Sequence, residues 1–269
     1  MNEPSSPTTH LSLAEVRREI DAIDSELLRL LDARARLASA VAAAKRAEPD
    51  AATASPLRPA RETAILRDRL GAPRQGAGPR LILKVWRELM GESLALQGGL
   101  DIRAWGGRQA TAVYHMARCR FGAANPVVMT ETPEAALKAC DGPRGVAVLS
   151  LETGQGWWAR LLLRPDLVVF STLPELASEG PMRALVVGPV ATEPTGHDLT
   201  LWVTDAPEPA DQIIDILGRI GFAADLISSA TGLKLFALSG YVQKDDIRLL
   251  SAPGRISGVI GAVAAPFDE

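Results

Sequence analysis

Between Leu11 and Glu48 the chain contains neither glycine nor proline, and that one stretch narrows what it can fold into. Leu, Ala, Arg and Glu, all good helix formers, dominate it. Ser12 and Glu15 form an S-x-x-E capping box at its start, and Pro49 follows its end. The pattern predicts one helix of about 35 residues, roughly 50 Å long. A compact domain of about 100 residues has a radius of gyration near 13 Å, so this helix overhangs any single small core. It needs a partner along its length, and a second copy of itself is the simplest one. Pro59 then opens a short second helix that ends at Gly71. Pro79 opens a third, running to Gln97 before Gly98 and Gly99. Residues 49–58 and 71–79, including the Ala-rich 50–54 stretch, read as loops.

After Gly99 the pattern changes. Apolar runs at 126–130, 145–151, 167–171 and 184–189 predict buried strands, with helical stretches at 107–121 and 132–140. From Asp198 the order is strand (198–204), helix (208–220), strand (223–229), strand (232–240), helix (244–251), strand (256–264). That β-α-β-β-α-β succession is the ferredoxin-like motif. The expected fold class is therefore an all-α N-terminal domain of three helices, followed by an α/β region ending in a ferredoxin-like unit. Boundaries fall at 1–99, 100–190 and 191–269.

The charge balance excludes some functions. Residues 1–100 hold 15 Lys/Arg against 13 Asp/Glu, and the remainder 14 against 19. Neither part has the basic stripe that nucleic-acid binding requires. No apolar run approaches the length of a membrane span, and Met1–His10 lacks the apolar core of a signal peptide. Cys119 and Cys140 fit a reducing compartment, and the three histidines have no ligand spacing with them. The expectation is a cytoplasmic protein with no metal, no cofactor, no nucleic acid and no membrane partner.

The long helix is most informative where its apolar pattern breaks. Heptad spacing places Ile20, Leu27 and Val41 on one seam, and Arg34 falls in it. The companion seam runs through Val16/Arg17, Ile23/Asp24, Leu30/Leu31, Leu37/Ala38 and Ala44/Lys45. Arg34 and Lys45 are 11 residues apart, three turns, and share a face. The third helix carries a stripe of Ile82, Trp86 and Met90 that continues into Ser93 and Gln97. A cation kept on an inward face costs several kcal/mol unless something pairs with it. One reading has these side chains snorkelling outward. The sharper reading is a cavity in a helical bundle, lined by cations and amides and built for a compact anion. No nucleophile with an adjacent base is apparent, so such a site suits chemistry that needs only restraint and electrostatic stabilisation.

The stretch LAEVRREIDAIDSELLRLLDARARLASAVAAAK (13–45), with PLRPARE (56–62) and GESLALQ (91–97), resembles the helical class of chorismate mutases. The resemblance implies an intertwined homodimer, with chorismate as substrate and prephenate as product, in phenylalanine and tyrosine biosynthesis. It implies that Arg17 reaches across the dimer to one substrate carboxylate and that Arg34 binds the other. Lys45 and Gln97 would donate to the ether oxygen, Glu62 would hold the ring hydroxyl, and Ser93 would assist at a carboxylate. Arg61 would support the site from its edge, and Asp24 would be scaffold. Arg58 occupies the place where the family usually has an Asp that contributes to the hydroxyl site. Isochorismate-pyruvate lyases share this fold and much of the cation set; the Lys/Glu/Ser/Gln complement favours the mutase.

The second half resembles, more weakly, the dehydratase and regulatory regions that follow a mutase in bifunctional mutase–dehydratases. GGRQATAVYHMARCRFG (106–122), GVAVLSLETGQGWW (145–158) and MRALVVG (182–188) carry this likeness. Glu152 and Arg183 are kept, but Thr153 replaces an Asn and Met182 stands where the catalytic Thr should be. Only about 45 residues separate Glu152 from the ferredoxin-like segment, too few for a second lobe at the usual domain scale. That last segment resembles a regulatory ACT domain, with APEPADQ and LISSATG in place of the phenylalanine-binding segments. The expectation is a non-catalytic second half. The alternatives are a bifunctional mutase–dehydratase, or a non-enzymatic helical dimer with a ligand-sensing α/β half.

Overall fold

The computed structural model describes residues 12–46, 55–152 and 154–268. Residues 1–11, 47–54, 153 and 269, with the 50–54 stretch expected as a loop, lie outside them. The chain divides into two compact units, Met1–Glu48 and Pro49–Glu269. In the first, helix α1 spans Leu13–Arg46 without interruption. Its start is the capping box read from the sequence. The Ser12 amide donates to Glu15 Oε2 at 2.8 Å, and the Glu15 amide donates to Ser12 Oγ at 3.3 Å. Both apolar seams lie open in the single chain, with Ile20, Ile23, Leu27, Leu30, Leu37 and Val41 all exposed.

The second unit begins with α2 (Pro59–Gly71) and α3 (Pro79–Leu96), each with proline in its first turn. The face that α3 buries is Leu83, Arg87, Met90, Gly91 and Leu94. Of the expected stripe, Met90 lies on this face, while Ile82, Trp86, Ser93 and Gln97 are half-buried beside it. Gly91 explains how closely α3 approaches α4 (Ala110–Phe121). A Cβ on Gly91 would sit 2.2 Å from the carbonyl oxygen of Phe121.

One nine-stranded sheet fills the rest of the unit: β1 (Asp101–Trp105), β2 (Val127–Met129), β3 (Gly145–Ser150), β4 (Val168–Leu173), β5 (Ala184–Gly188), β6 (Asp198–Thr204), β7 (Ala224–Ala230), β8 (Leu233–Ser239) and β9 (Ser257–Ala264). Its order is β2-β1-β3-β5-β4-β9-β6-β8-β7. The last four strands, with α6 (Ala210–Arg219) between β6 and β7, have the 4-1-3-2 order of a ferredoxin-like unit. A parallel bridge from Val169 to Gly261 joins this unit to the first five strands, and another pairs Leu176 with Phe267. The regions expected as 100–190 and 191–269 thus share one sheet. They also share a core, in which Leu149 and Leu185 pack with Leu201 and Leu235.

Successive residues of β3 feed opposite faces, Val146 and Val148 toward α4 and Ala147 and Leu149 toward Trp157 and Trp158. Leu94 of α3 belongs to the α4-side core. Leu66, Leu83 and Met90 meet Leu176 and Phe267 in a separate cluster. The second and third helices are therefore packed on the α/β body.

Four expectations need correction. The 126–130 run is a three-residue edge strand, largely exposed, because one side of it has no neighbour. The 132–140 helix is shorter: α5 covers Pro133–Leu137 and passes into a 3-10 turn over Lys138–Asp141. The 107–121 helix likewise begins with a 3-10 turn, Gly107–Gln109. The 244–251 helix is only a 3-10 turn, Ile247–Ser251. Asp246 caps it, and Ile247 and Leu250 are exposed, so it has no apolar face to bury as a longer helix.

Candidate active site

The expected site residues fall in both compact units. Arg17, Arg34 and Lys45 stand on α1, with Arg34 and Lys45 three turns apart on one face; the Lys45 side chain lies outside the described residues. In the second unit, Ser93 and Gln97 share the last turn of α3. The Gln97 amide donates to the Ser93 carbonyl at 2.8 Å, and Ser93 Oγ donates to the Leu89 carbonyl at 2.8 Å. Arg58 precedes α2 and donates to the carbonyls of Ser55 (2.8 Å) and Leu57 (3.0 Å). Arg61, one turn on, is exposed.

Glu62 is the exception, since it is buried with two arginines on it. Arg87 Nη1 donates to Glu62 Oε2 at 2.7 Å, and Arg120 Nη2 lies 2.8 Å from the same oxygen. Glu175, just past β4, completes the group. Arg87 Nε donates to its Oε2 at 2.8 Å while Nη2 grips Oε1, and Arg120 Nε lies 3.5 Å from Oε1. Both arginine side chains are 3% exposed and both carboxylates 10%. Two cations and two anions leave the group neutral, the condition under which charges can be buried. Burial alone would push the Glu62 carboxyl up. The Arg120 and Arg87 charges and their hydrogen bonds outweigh it and hold the carboxyl below its ordinary value. Burial acts to lower the Arg87 guanidinium, and Glu175 and Glu62 reverse that, so its value is raised.

Sequence reasoning missed Arg87, Arg120 and Glu175. Arg87 does share a helical face with Leu83 and Met90, which hints at burial. Its partners come from α2 and from the α/β part, and no single-helix pattern reveals those.

In the α/β part, Glu152 accepts from the Arg108 amide at 3.3 Å and from the Arg108 guanidinium, beside the turn at Gly107. Met182 packs against the core. Among the described residues no group of three metal-ligating side chains occurs, and no helix is long and apolar enough to cross a membrane.

Comparison with known proteins bears on the first hundred residues. Residues 16–98 match the chorismate mutase type II family. A bifunctional chorismate mutase/prephenate dehydratase from Neisseria gonorrhoeae (strain ATCC 700825 / FA 1090) is 38% identical over 107 residues, 39% of this chain and 27% of that protein. The chain thus aligns with about a quarter of this relative's length. Three solved structures overlap more of the chain at lower similarity. Prephenate dehydratase from Streptococcus mutans has a TM-score of 0.38 and 13% identity, covering 63% of this chain and 100% of its own. Prephenate dehydratase from Arthrobacter aurescens, in complex with L-Phe, has 0.41 and 14%, covering 61% and 90%. GqqA, described as a novel type of quorum quenching acylase, has 0.39 and 16%, covering 61% and 95%. Superpositions this loose assign no activity to the second half. The chorismate mutase match contains Arg17, Arg34, Lys45, Arg58, Arg61, Glu62, Ser93 and Gln97.

Proposed function

We propose that the chain converts chorismate to prephenate, that its machinery lies before Gly99, and that it works as a cytoplasmic homodimer. The observation that carries this reading is the family match over 16–98, which takes in every polar residue that breaks the helical stripes. The rearrangement is unimolecular and needs no proton transfer. A protein can accelerate it by holding the compact conformer and by stabilising negative charge at the ether oxygen as the C–O bond breaks.

In this reading Arg17 and Arg34 anchor the two carboxylates, Arg17 across the dimer, with Ser93 assisting and Arg61 at the edge. Lys45 supplies a full positive charge at the ether oxygen, and Gln97 supplies a neutral donor. Glu62 holds the ring hydroxyl, with its ionised state maintained by Arg87 and Arg120. Arg58, in the usual place of an Asp, leaves that contact to Glu62 alone. The open seams of α1 support pairing of two copies, because apolar rows of that length are otherwise left in water.

The α/β part is read as non-catalytic, comprising a dehydratase-like region at 100–190 and an ACT-like region at 191–269. Met182 stands in place of a threonine hydroxyl, and Glu152 is engaged by Arg108. The test is product analysis of the purified full chain with chorismate. Prephenate accumulating without phenylpyruvate supports both statements. Phenylpyruvate formed at neutral pH would make the protein bifunctional, and unchanged chorismate would end the mutase reading.

A further inference from the structure

A cavity of about 400 Å³ lies between α3, α4 and the chain from Leu173 to Arg183. It is lined neither by Arg108 or Glu152 nor by any residue assigned above to chorismate. Its wall is apolar where Leu83, Met116, Leu173 and Leu176 line it, and its polar side carries Arg80, Lys84, Arg120, Arg183, Glu175 and Glu179. A volume of several hundred Å³ is that of a small-molecule site, and this one is more highly charged than most.

The charges around it do not cancel. Arg80 pairs with Glu179 at 3.3 Å, and Arg120 and Glu175 belong to the neutral buried group with Arg87 and Glu62. Lys84 and Arg183 also line the cavity, and among the described residues no ion pair involves either. The cavity therefore has two exposed cations at its rim, with no ion-pair partner among the described residues, beside an apolar wall. A neutral apolar guest would leave both cations unmatched, and a bare inorganic anion would leave the apolar wall wet. We propose that this cavity binds a compact organic anion, a carboxylate carried on an apolar body of about the size of one ring, with Lys84 and Arg183 taking the carboxylate. The site does not depend on the mutase reading.

Cys119 makes occupancy measurable. It lines the cavity, and its Sγ lies 3.5 Å from His115 Nε2 on the next turn of α4. The other thiol, Cys140, is 2% exposed and pushed up to about 12 by burial, so it does not compete for reagent. The full-length chain is alkylated with N-ethylmaleimide, and Cys119 labelling is followed by mass spectrometry. Labelling is compared alone, with 3-phenylpropionate, and with the neutral 3-phenylpropanol. The carboxylate should protect Cys119 saturably, and the alcohol should need a concentration at least about tenfold higher, the scale of one lost charge-assisted contact. Lys84→Ala with Arg183→Ala, both exposed positions, should move half-protection by the carboxylate by a similar factor. No protection up to the solubility limit would overturn the proposal, as would equal protection by the alcohol or an unchanged midpoint in the double variant. If the free thiol resists maleimide, calorimetric titration of the same compounds on the same proteins reads the same affinities, with the same outcomes decisive.

Discussion

Arg120, in the first long helix of the α/β part, holds its guanidinium 2.8 Å from the carboxylate of Glu62, in the second helix of the mutase-like segment. With Arg87 and Glu175 this forms a buried, neutral group of four charges contributed by α2, α3, α4 and the end of β4. Removing one member unbalances it. Arg120→Leu should cost about 3–5 kcal/mol, the usual penalty for stranding a buried charge. The double variant Arg120→Leu with Glu62→Leu restores neutrality and should recover part of that loss. Chemical denaturation measures both. A loss below about 1 kcal/mol for Arg120→Leu, the range of an exposed pair, would mean that the group is solvated.

The same group sets an acid limit. The Glu62 carboxyl is held below its ordinary value of 4.5, so its ionised form is favoured in the folded chain. Its stabilising contribution is fully present above that value and is lost as pH falls below it through the folded-state value. Denaturation midpoints should be flat in neutral solution and drop below pH 4.5. In Glu62→Gln the chain should be less stable at neutral pH and its acid drop shallower. The other carboxyls lowered by pairing, such as Glu152 and Asp246, are held by exposed arginines, Arg108 and Arg248, and should contribute less. An acid drop identical in wild type and Glu62→Gln would assign it elsewhere.

Cutting the chain near Gly99 tests whether the first hundred residues fold and work without the α/β body. By sequence alone such a fragment should stay active, since every matched residue precedes the cut. The structure changes that expectation, because Arg120 and Glu175 are lost and Leu83, Met90 and Leu94 are stripped of their cover. The fragment should lose cooperative thermal unfolding, and its turnover should fall with it. A fragment as stable and as active as the full chain would show that the α/β body contributes nothing to the helical part.

Pairing of α1 is tested at its open seams. The full chain should scatter light as about twice its 28.6 kDa, and Leu27→Glu with Leu30→Glu should shift it to the single-chain mass. A monomeric wild type with full turnover would contradict a site shared between copies.

What could be read from the sequence depended on where each residue's partners lie. Helix α1 announced itself through its capping box and its unbroken run, both local features. The ferredoxin-like order followed from the succession of strand-like and helical stretches after Asp198. Strand β1 escaped because Asp101 and Arg103 break its apolar character, although Ile102, Ala104 and Trp105 are buried. The 244–251 segment looked helical from composition, but nothing covers Ile247 or Leu250. Within the candidate site, Glu62 was legible by resemblance. Its neighbours Arg87, Arg120 and Glu175 were not, because a pattern along one helix cannot report an ion pair closed by residues 25 to 88 positions away.

The most direct test of the account is chorismate turnover by the full chain and by Lys45→Ala, measured by loss of chorismate with prephenate identified as product. Lys45 is the full positive charge proposed at the breaking C–O bond, and removing one preorganised donor of that kind costs about 10²–10³ in rate. Gln97→Ala should lose less, because an amide carries no net charge. The account predicts turnover by the wild type and a loss of at least about a hundredfold in kcat for Lys45→Ala, in protein that is folded and of wild-type mass. Lys45→Ala activity within about threefold of wild type, against that hundredfold scale, or a folded wild type that leaves chorismate untouched, would contradict it.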